Sequence, residues 1–246
     1  MSTAIPPRGE SPALAGPSPQ LMTVIAVSLT FASGASDVAS FTRLGNVFTS
    51  VMTGNITVFG LALARGSATL AAHTVLAFAG YVAGVAAGTL IARYRTARDP
   101  TKPAANSAGE HWPAHMTQTL AAEFTLLTGV LIGWEVTGSR PAGVAQYVIL
   151  AIAACAMGVQ SAAVGQLGLG SVSTTYLTGT LTGLVGAIFQ RDGKVGWRRP
   201  ALLIGLLAGA SLSGVLVANA AWAVPCLPLL GVAAATVLGT RSVNSG

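Results

Sequence analysis

The chain has 246 residues, 52% of them apolar and only 8% charged, where an ordinary soluble domain carries roughly 25% charged residues. A mean hydropathy of +0.67 and 30 glycines, a residue frequent in membrane helices, exclude a typical cytosolic enzyme and make the bilayer the expected solvent and partner. The net charge is +6, but the arginines stand at the ends of apolar segments, as lipid headgroups select, and no basic run is interleaved with aromatics, so nucleic acid is not an expected partner.

Residues 1–20 hold Pro6, Pro7, Pro12, Pro17 and Pro19, a density that predicts a disordered tail. Apolar sequence begins only at Leu21, after that tail, so a cleaved secretory leader is not expected. A single integral membrane domain is expected over 21–240, with a short tail at 241–246. Its apolar stretches fall at about 21–42, 47–64, 68–92, 117–136, 143–165, 172–190, 200–222 and 224–240, most of them near the ~20 residues that cross a bilayer as helix. Leu70–Ile91, Leu120–Val136, Gln146–Val164 and Leu202–Trp222 read as clear spans. The other four are interrupted by Gly, Ser, Thr or Pro and read equally as full spans, broken helices or re-entrant hairpins. The expected fold is all-α: a polytopic helical membrane protein of seven or eight segments built from two internal repeats.

A shift of 125 residues carries the evidence for repeats. Gly45 then meets Gly170, Thr49-Ser50 meets Thr174-Thr175, and Met52-Thr53-Gly54-Asn55-Ile56-Thr57 meets Leu177-Thr178-Gly179-Thr180-Leu181-Thr182. The match continues from Gly80 and Gly84 to Gly205 and Gly209. With a one-residue adjustment, Gly34 falls on Gly158, and Ser36 and Asp37 on Gln160 and Ser161. The repeats run over about 21–92 and 146–222. Paired Gly-interrupted segments in duplicated membrane units point to a transporter-like site at the repeat interface; small residues at four-residue spacing, as in Gly80, Gly84 and Gly88, serve equally to pack helices.

Gly54 and Gly179 sit inside their apolar segments, where glycine costs ~1 kcal/mol of helix propensity and permits a break. Thr53, Asn55, Thr178 and Thr180 beside them supply hydroxyls and an amide that satisfy the freed backbone or a ligand. The alternative is an unbroken helix bent by threonines bonding to carbonyls one turn back.

Two carboxylates fall within apolar surroundings, Asp37 and Glu123. Ionisable groups at membrane depth face the bundle interior and mark ion or proton paths. Ser33, Asp37 and Ser40 follow the spacing of one helical face, with Ser36 alongside, and Gln160 is the uncharged counterpart in the second half. Asp37 is close enough to Arg43 for a surface position, and Glu123 close enough to its span start to reach the headgroups. Glu135, beside Trp134, and His73 read as interfacial.

Glu110, His111 and His115 have a metal-like spacing but lie in a Pro-rich connection with no further ligand, so no metal site is expected. Cys155 and Cys226 lie in apolar runs, which predicts no disulfide. No nucleophile, zinc, phosphate-loop or dinucleotide signature occurs, so neither an enzyme nor a cofactor is expected.

Arg93, Arg95, Arg98 and Lys102 form one basic connection; Arg191, Lys194, Arg198 and Arg199 form another. Both belong on the cytoplasmic side, yet three apolar stretches separate them, and an odd number of crossings puts them on opposite sides. Either one of 143–165 and 172–190 fails to cross, or one loop breaks the rule. Oppositely oriented repeats also explain the inverted placement of charge, and inverted and parallel repeats both stay open.

The stretch Gly34-Ala35-Ser36-Asp37-Val38-Ala39-Ser40-Phe41, with Leu44-Gly45-Asn46-Val47-Phe48 and Met52-Thr53-Gly54-Asn55-Ile56-Thr57-Val58-Phe59-Gly60-Leu61, resembles the YoaK-like family of bacterial membrane proteins, catalogued as a domain of unknown function. Thr174-Thr175-Tyr176-Leu177-Thr178-Gly179-Thr180 resembles its downstream signature, and the likeness covers roughly 21–240. The resemblance implies a multi-pass protein of the bacterial inner membrane and no particular substrate, activity or cofactor. The residues themselves favour a small secondary transporter or permease for a small solute or anion, with Ser33, Ser36, Asp37, Ser40, Thr53, Gly54, Asn55, Glu123, Gln160, Thr178, Gly179 and Thr180 at the site. The alternative is a non-transporting interaction or assembly protein that uses its small-residue faces, which would also serve a homo-oligomer.

Overall fold

Ser18 accepts a hydrogen bond from the Leu21 amide, and Pro19 occupies the first turn, so the first helix starts where the proline-rich tail ends. The computed structural model describes residues 18–98, 112, 114–166, 179, 181, 182, 185 and 197–244. Among these residues are seven α-helices and no strand: α1 (Pro19–Arg43), α2 (Met52–Ala64), α3 (Ala68–Arg98), α4 (Ala114–Val136), α5 (Gly143–Gln166), α6 (Arg198–Asn219) and α7 (Cys226–Asn244), the last preceded by a short 3-10 turn at Ala221–Ala223.

Six of them are long and apolar enough to cross a membrane. The seventh, α2, has 13 residues and so spans about 20 Å, short of the ~30 Å of hydrocarbon. Its outer face is nevertheless apolar: Ile56 is 61% and Leu63 64% exposed, as befits a half-length helix facing lipid. The tail and most of the expected 172–190 segment, with Thr178 and Thr180, lie outside the described residues.

Helix direction follows from the contacts. Gly80 and Gly84 of α3 meet the backbone at Ala151 and Cys155 of α5, and Gly205 and Gly209 of α6 meet it at Val27 and Phe31 of α1. Both pairs therefore run parallel. Gln160 of α5 bonds to Leu29 and Ser33 of α1, and Gln146 to the Arg43 carbonyl, so α1 and α5 are antiparallel and the two parallel pairs oppose each other. Gly129 and Gly133 of α4 lie level with Ile152 and Ile149 of α5, so that pair is antiparallel; α7 runs against α4, because Gly239 near its end lies against Trp112, just before α4, and Trp134 near the end of α4 donates to the Ala221 carbonyl just before α7.

One end of the bundle thus holds the starts of α1, α4 and α6 and the ends of α3, α5 and α7. Arg93, Arg95 and Arg98 of α3, Arg198 and Arg199 of α6 and Arg241 of α7 stand there, against Arg43, Arg65 and Arg140 at the other end. The positive-inside rule assigns the first end to the cytoplasm. Among the described residues, α4 and α5 cross between the basic clusters, and the end of α3 and the start of α6 stand at the same end of the bundle, which removes the conflict in the charge pattern.

The glycines explain why these helices pair. A Cβ at Gly84 would overlap the Cys155 carbonyl, and one at Gly158 the Tyr81 carbonyl; on the other pair, Gly209 would overlap Phe31 and Gly34 would overlap Leu206. Each interface brings backbone against backbone, the contact that drives helix association in lipid. α1 and α5 are the inner helices, with 67% of their apolar stretches buried against 28% and 22% in α3 and α6. The core runs from Met22, Met116, Leu120 and Val164 near the cytoplasmic end to Val47, Trp134 and Leu150 near the other.

Candidate functional site

The chain breaks between α1 and α2, and the break lies at 44–51 rather than at Gly54. Gly45 (φ 101°) and Asn46 (φ 59°) take left-handed conformations that turn the chain. A Cβ on Gly45 would also overlap the His73 ring. Two side chains then supply the hydrogen bonds that the loop lacks. Asp37 Oδ1 accepts from the amides of Thr49 and Ser50, both at 2.8 Å, and from Thr49 Oγ1 at 3.0 Å, while Oδ2 accepts from Ser50 Oγ at 2.6 Å. Ser36 Oγ lies 3.0 Å from Thr49 Oγ1. Asn55, one turn into α2, accepts from the Phe48 amide at 2.8 Å and donates to the Phe48 carbonyl at 2.7 Å. Gly54 sits in the first turn of α2 against Phe48 and Val51, because these bonds end the extended loop before it.

Replacing Asn55 with alanine orphans both backbone groups of Phe48, each worth about 1 kcal/mol or more when left unpaired. The variant is expected to lose on the order of 2 kcal/mol in thermal unfolding in detergent. Thr53→Ala, on an exposed face of the same turn, should stay within about 0.5 kcal/mol of the wild type.

A second polar group lies near mid-bundle. Gln160 Nε2 donates to Ser33 Oγ at 2.7 Å and to the Leu29 carbonyl at 3.1 Å. Its Oε1 has no partner, nor does either carboxyl oxygen of Glu123. Glu123 is fully buried and Gln160 nearly so. The register of α4 on α5 puts Glu123 level with Gly158 and Val159, within two residues of Gln160. Ser40 is buried as well, its hydroxyl unpartnered.

The twelve expected site residues therefore divide. Ser36 and Asp37 join the loop, Asn55 braces it, and Thr53 and Gly54 follow in the first turn of α2. Ser33 joins Gln160, with Glu123 at their level. Gly179 is exposed, and among the described residues nothing stands within 4 Å of where its Cβ would be. Asp37 and Glu123 are both buried inside the bundle, not at its surface. Sequence reasoning passes over Thr49 and Ser50, although their place in the repeat match, just before a helix start, is the available signal. It also puts His73 at the interface. The ring is instead buried, bonded to the Thr69 carbonyl at 2.8 Å and Gln146 Oε1 at 3.2 Å and stacked on Tyr147 at 4.3 Å. An open pocket of about 340 Å³ at the non-cytoplasmic end, lined by Arg43, Arg140, Ser139, Asn219 and Trp222 among others, lies away from Gln160 and Glu123.

The model of the family described as a protein of unknown function, DUF1275, matches residues 25–238. The chain belongs to the DUF1275 family. It is 29% identical over 179 residues to the UPF0700 transmembrane protein YoaK of Bacillus subtilis (strain 168), an alignment covering 71% of this chain and 72% of that one. No solved structure gives a significant match. The DUF1275 match takes in the Asp37 loop, Glu123 and Gln160 alike.

Proposed function

We propose that this integral membrane protein is a small secondary transporter of the bacterial inner membrane, built from two inverted repeats, α1–α3 and α5–α6 with the segment between them, that carries a small solute or anion. The observation that carries the reading is the matched, crossed pairing of the halves. The first helix of each half lies along the last helix of the other, and the partners correspond. Gly80, Gly84 and Tyr81 stand 125 residues before Gly205, Gly209 and Leu206, while Val27, Phe31 and Gly34 stand 124 before Ala151, Cys155 and Gly158. Inverted repeats with broken segments suit alternating access, one half rocking against the other around a site near the midplane. Ser33 and Gln160, joined where α1 and α5 pass each other, supply polar groups there, and Asp37 holds the broken segment onto α1 as a positioning residue.

The assembly reading is weakened by the same contacts, since the glycine faces are spent on packing within the chain. The test is solute-driven current or uptake in proteoliposomes, challenged in turn with inorganic anions, small carboxylates and amino acids. We expect at least one class to exceed protein-free vesicles, with the signal reduced tenfold or more by Asp37→Ala in the fraction that folds and largely kept by Asp37→Asn, which preserves the bonds to the loop. If no class does, the transporter reading fails.

A further inference from the structure

Glu123 and Gln160 present complementary deficits. An ionised carboxylate buried among helices needs donors or a cation, and Asp37 shows what that looks like, with four donors on two oxygens. Glu123 has none. The helices packed on α4 offer no cation at its level: α5 contains no Lys or Arg and only Tyr147 and Cys155 as titratable groups, α3 has Arg93, Tyr94, Arg95 and Arg98 at the cytoplasmic end and His73 at the other with Tyr81 between, and α7 has Arg241 at its end and Cys226 at its start. On α4 itself, His115 stands about two turns toward the cytoplasm and Glu135 about three turns the other way. Inner helix α1 contributes Asp37, whose carboxylate is already filled, and Arg43 at its end.

A neutral carboxylic acid has the opposite need, an acceptor for one O–H. Gln160 Oε1 is a buried acceptor without a donor, at the level of Glu123, and its orientation is fixed because Nε2 is committed to Leu29 and Ser33. We propose that Glu123 is a reversible proton-binding site of the bundle, holding its proton toward Gln160 Oε1 when the centre is closed. On the transporter reading, on which this role rests, the coupling ion is the proton. Loading takes one proton from a hydronium ion and returns a water molecule; unloading to the other side is the reverse, and no bond besides O–H changes.

Infrared spectroscopy of the full chain in lipid tests this without reference to any solute. At neutral pH the wild type should show a carboxylic-acid C=O stretching band that shifts in D₂O, showing that its proton exchanges. Glu123→Gln, close in shape to the neutral acid, should fold and lose the band, while Asp37→Asn should keep it. Gln160→Met should move the band to higher frequency by removing the acceptor. Absence of an acid band, its survival in Glu123→Gln, or failure to shift in D₂O overturns the proposal; an unmoved band in Gln160→Met removes Gln160 from it. A protein that shows the exchanging Glu123 band but moves no solute refutes the transporter reading alone. Solute flux indifferent to a pH gradient refutes only the coupling.

Discussion

Gly84→Leu is expected to separate α3 from α5 and leave little folded, monodisperse protein in detergent. Gly84 lies against the Cys155 carbonyl, and its neighbour across the interface, Gly158, lies against that of Tyr81. A leucine there meets backbone on a rigid helix, which cannot turn aside as a flexible side chain would. Overpacking a tight core by a few carbons costs about 1–3 kcal/mol, and a backbone contact is less able to relax, so the loss should be on the order of 3 kcal/mol or more. Gly209→Leu should match it, because Gly209 lies against Phe31 in the same way. Gly60→Leu is the control: nothing stands within 4 Å of that position, and an exposed helical glycine gains propensity on replacement. Equal thermal unfolding midpoints for Gly84→Leu and Gly60→Leu would sink the close-contact account. A folded Gly84→Leu that merely sheds a membrane partner would favour assembly over transport.

The second large effect is expected at Asp37. Alanine there leaves the buried amides of Thr49 and Ser50 without an acceptor and frees two hydroxyls, and each orphaned buried donor costs about 1–3 kcal/mol. Asp37→Ala should therefore lose on the order of 4 kcal/mol in thermal unfolding in detergent. Asp37→Asn keeps an oxygen for the three donors at Oδ1, and Ser50 Oγ can rotate to accept from the new amide, so its loss should be less than half as large. Equal losses for the two variants would mean that the negative charge, not the hydrogen-bond pattern, holds the loop. The ordering separates Asp37 from Glu123, where the neutral glutamine should be tolerated and no loop depends on the side chain.

Much of the fold is legible in one dimension because lipid imposes a simple demand: every spanning segment must satisfy its own backbone and show apolar side chains outward. Apolar runs such as 68–92 and 143–165 accordingly form α3 and α5 with small changes at their ends. The four-residue glycine spacing at Gly80, Gly84 and Gly88 points to close packing, and the contacts place all three on α5. The position of the break is less legible. Gly54 draws attention through its propensity, whereas the chain turns at Gly45 and Asn46, where a positive φ and the reach of Asp37 and Asn55 decide the matter. Those bonds join residues 7 to 13 positions apart, beyond what a helical period reveals.

By itself the sequence determined the solvent, the helical class, the approximate spans and the presence of two carboxylates within apolar runs, since composition and hydropathy are summed along the chain; that both are buried came from the packing. Only the tertiary structure decided which carboxylate is satisfied. Asp37 and Glu123 are alike in sequence, each an acid in an apolar run, and burial is alike for both. Their difference is the company that distant segments bring: the 44–51 loop folds four donors onto Asp37, while α5 brings to the level of Glu123 an amide oxygen that itself lacks a donor. Hydrogen bonds are short-ranged and directional, so the state of a buried acid is set by neighbours within about 3 Å, and those neighbours are chosen by how helices pack.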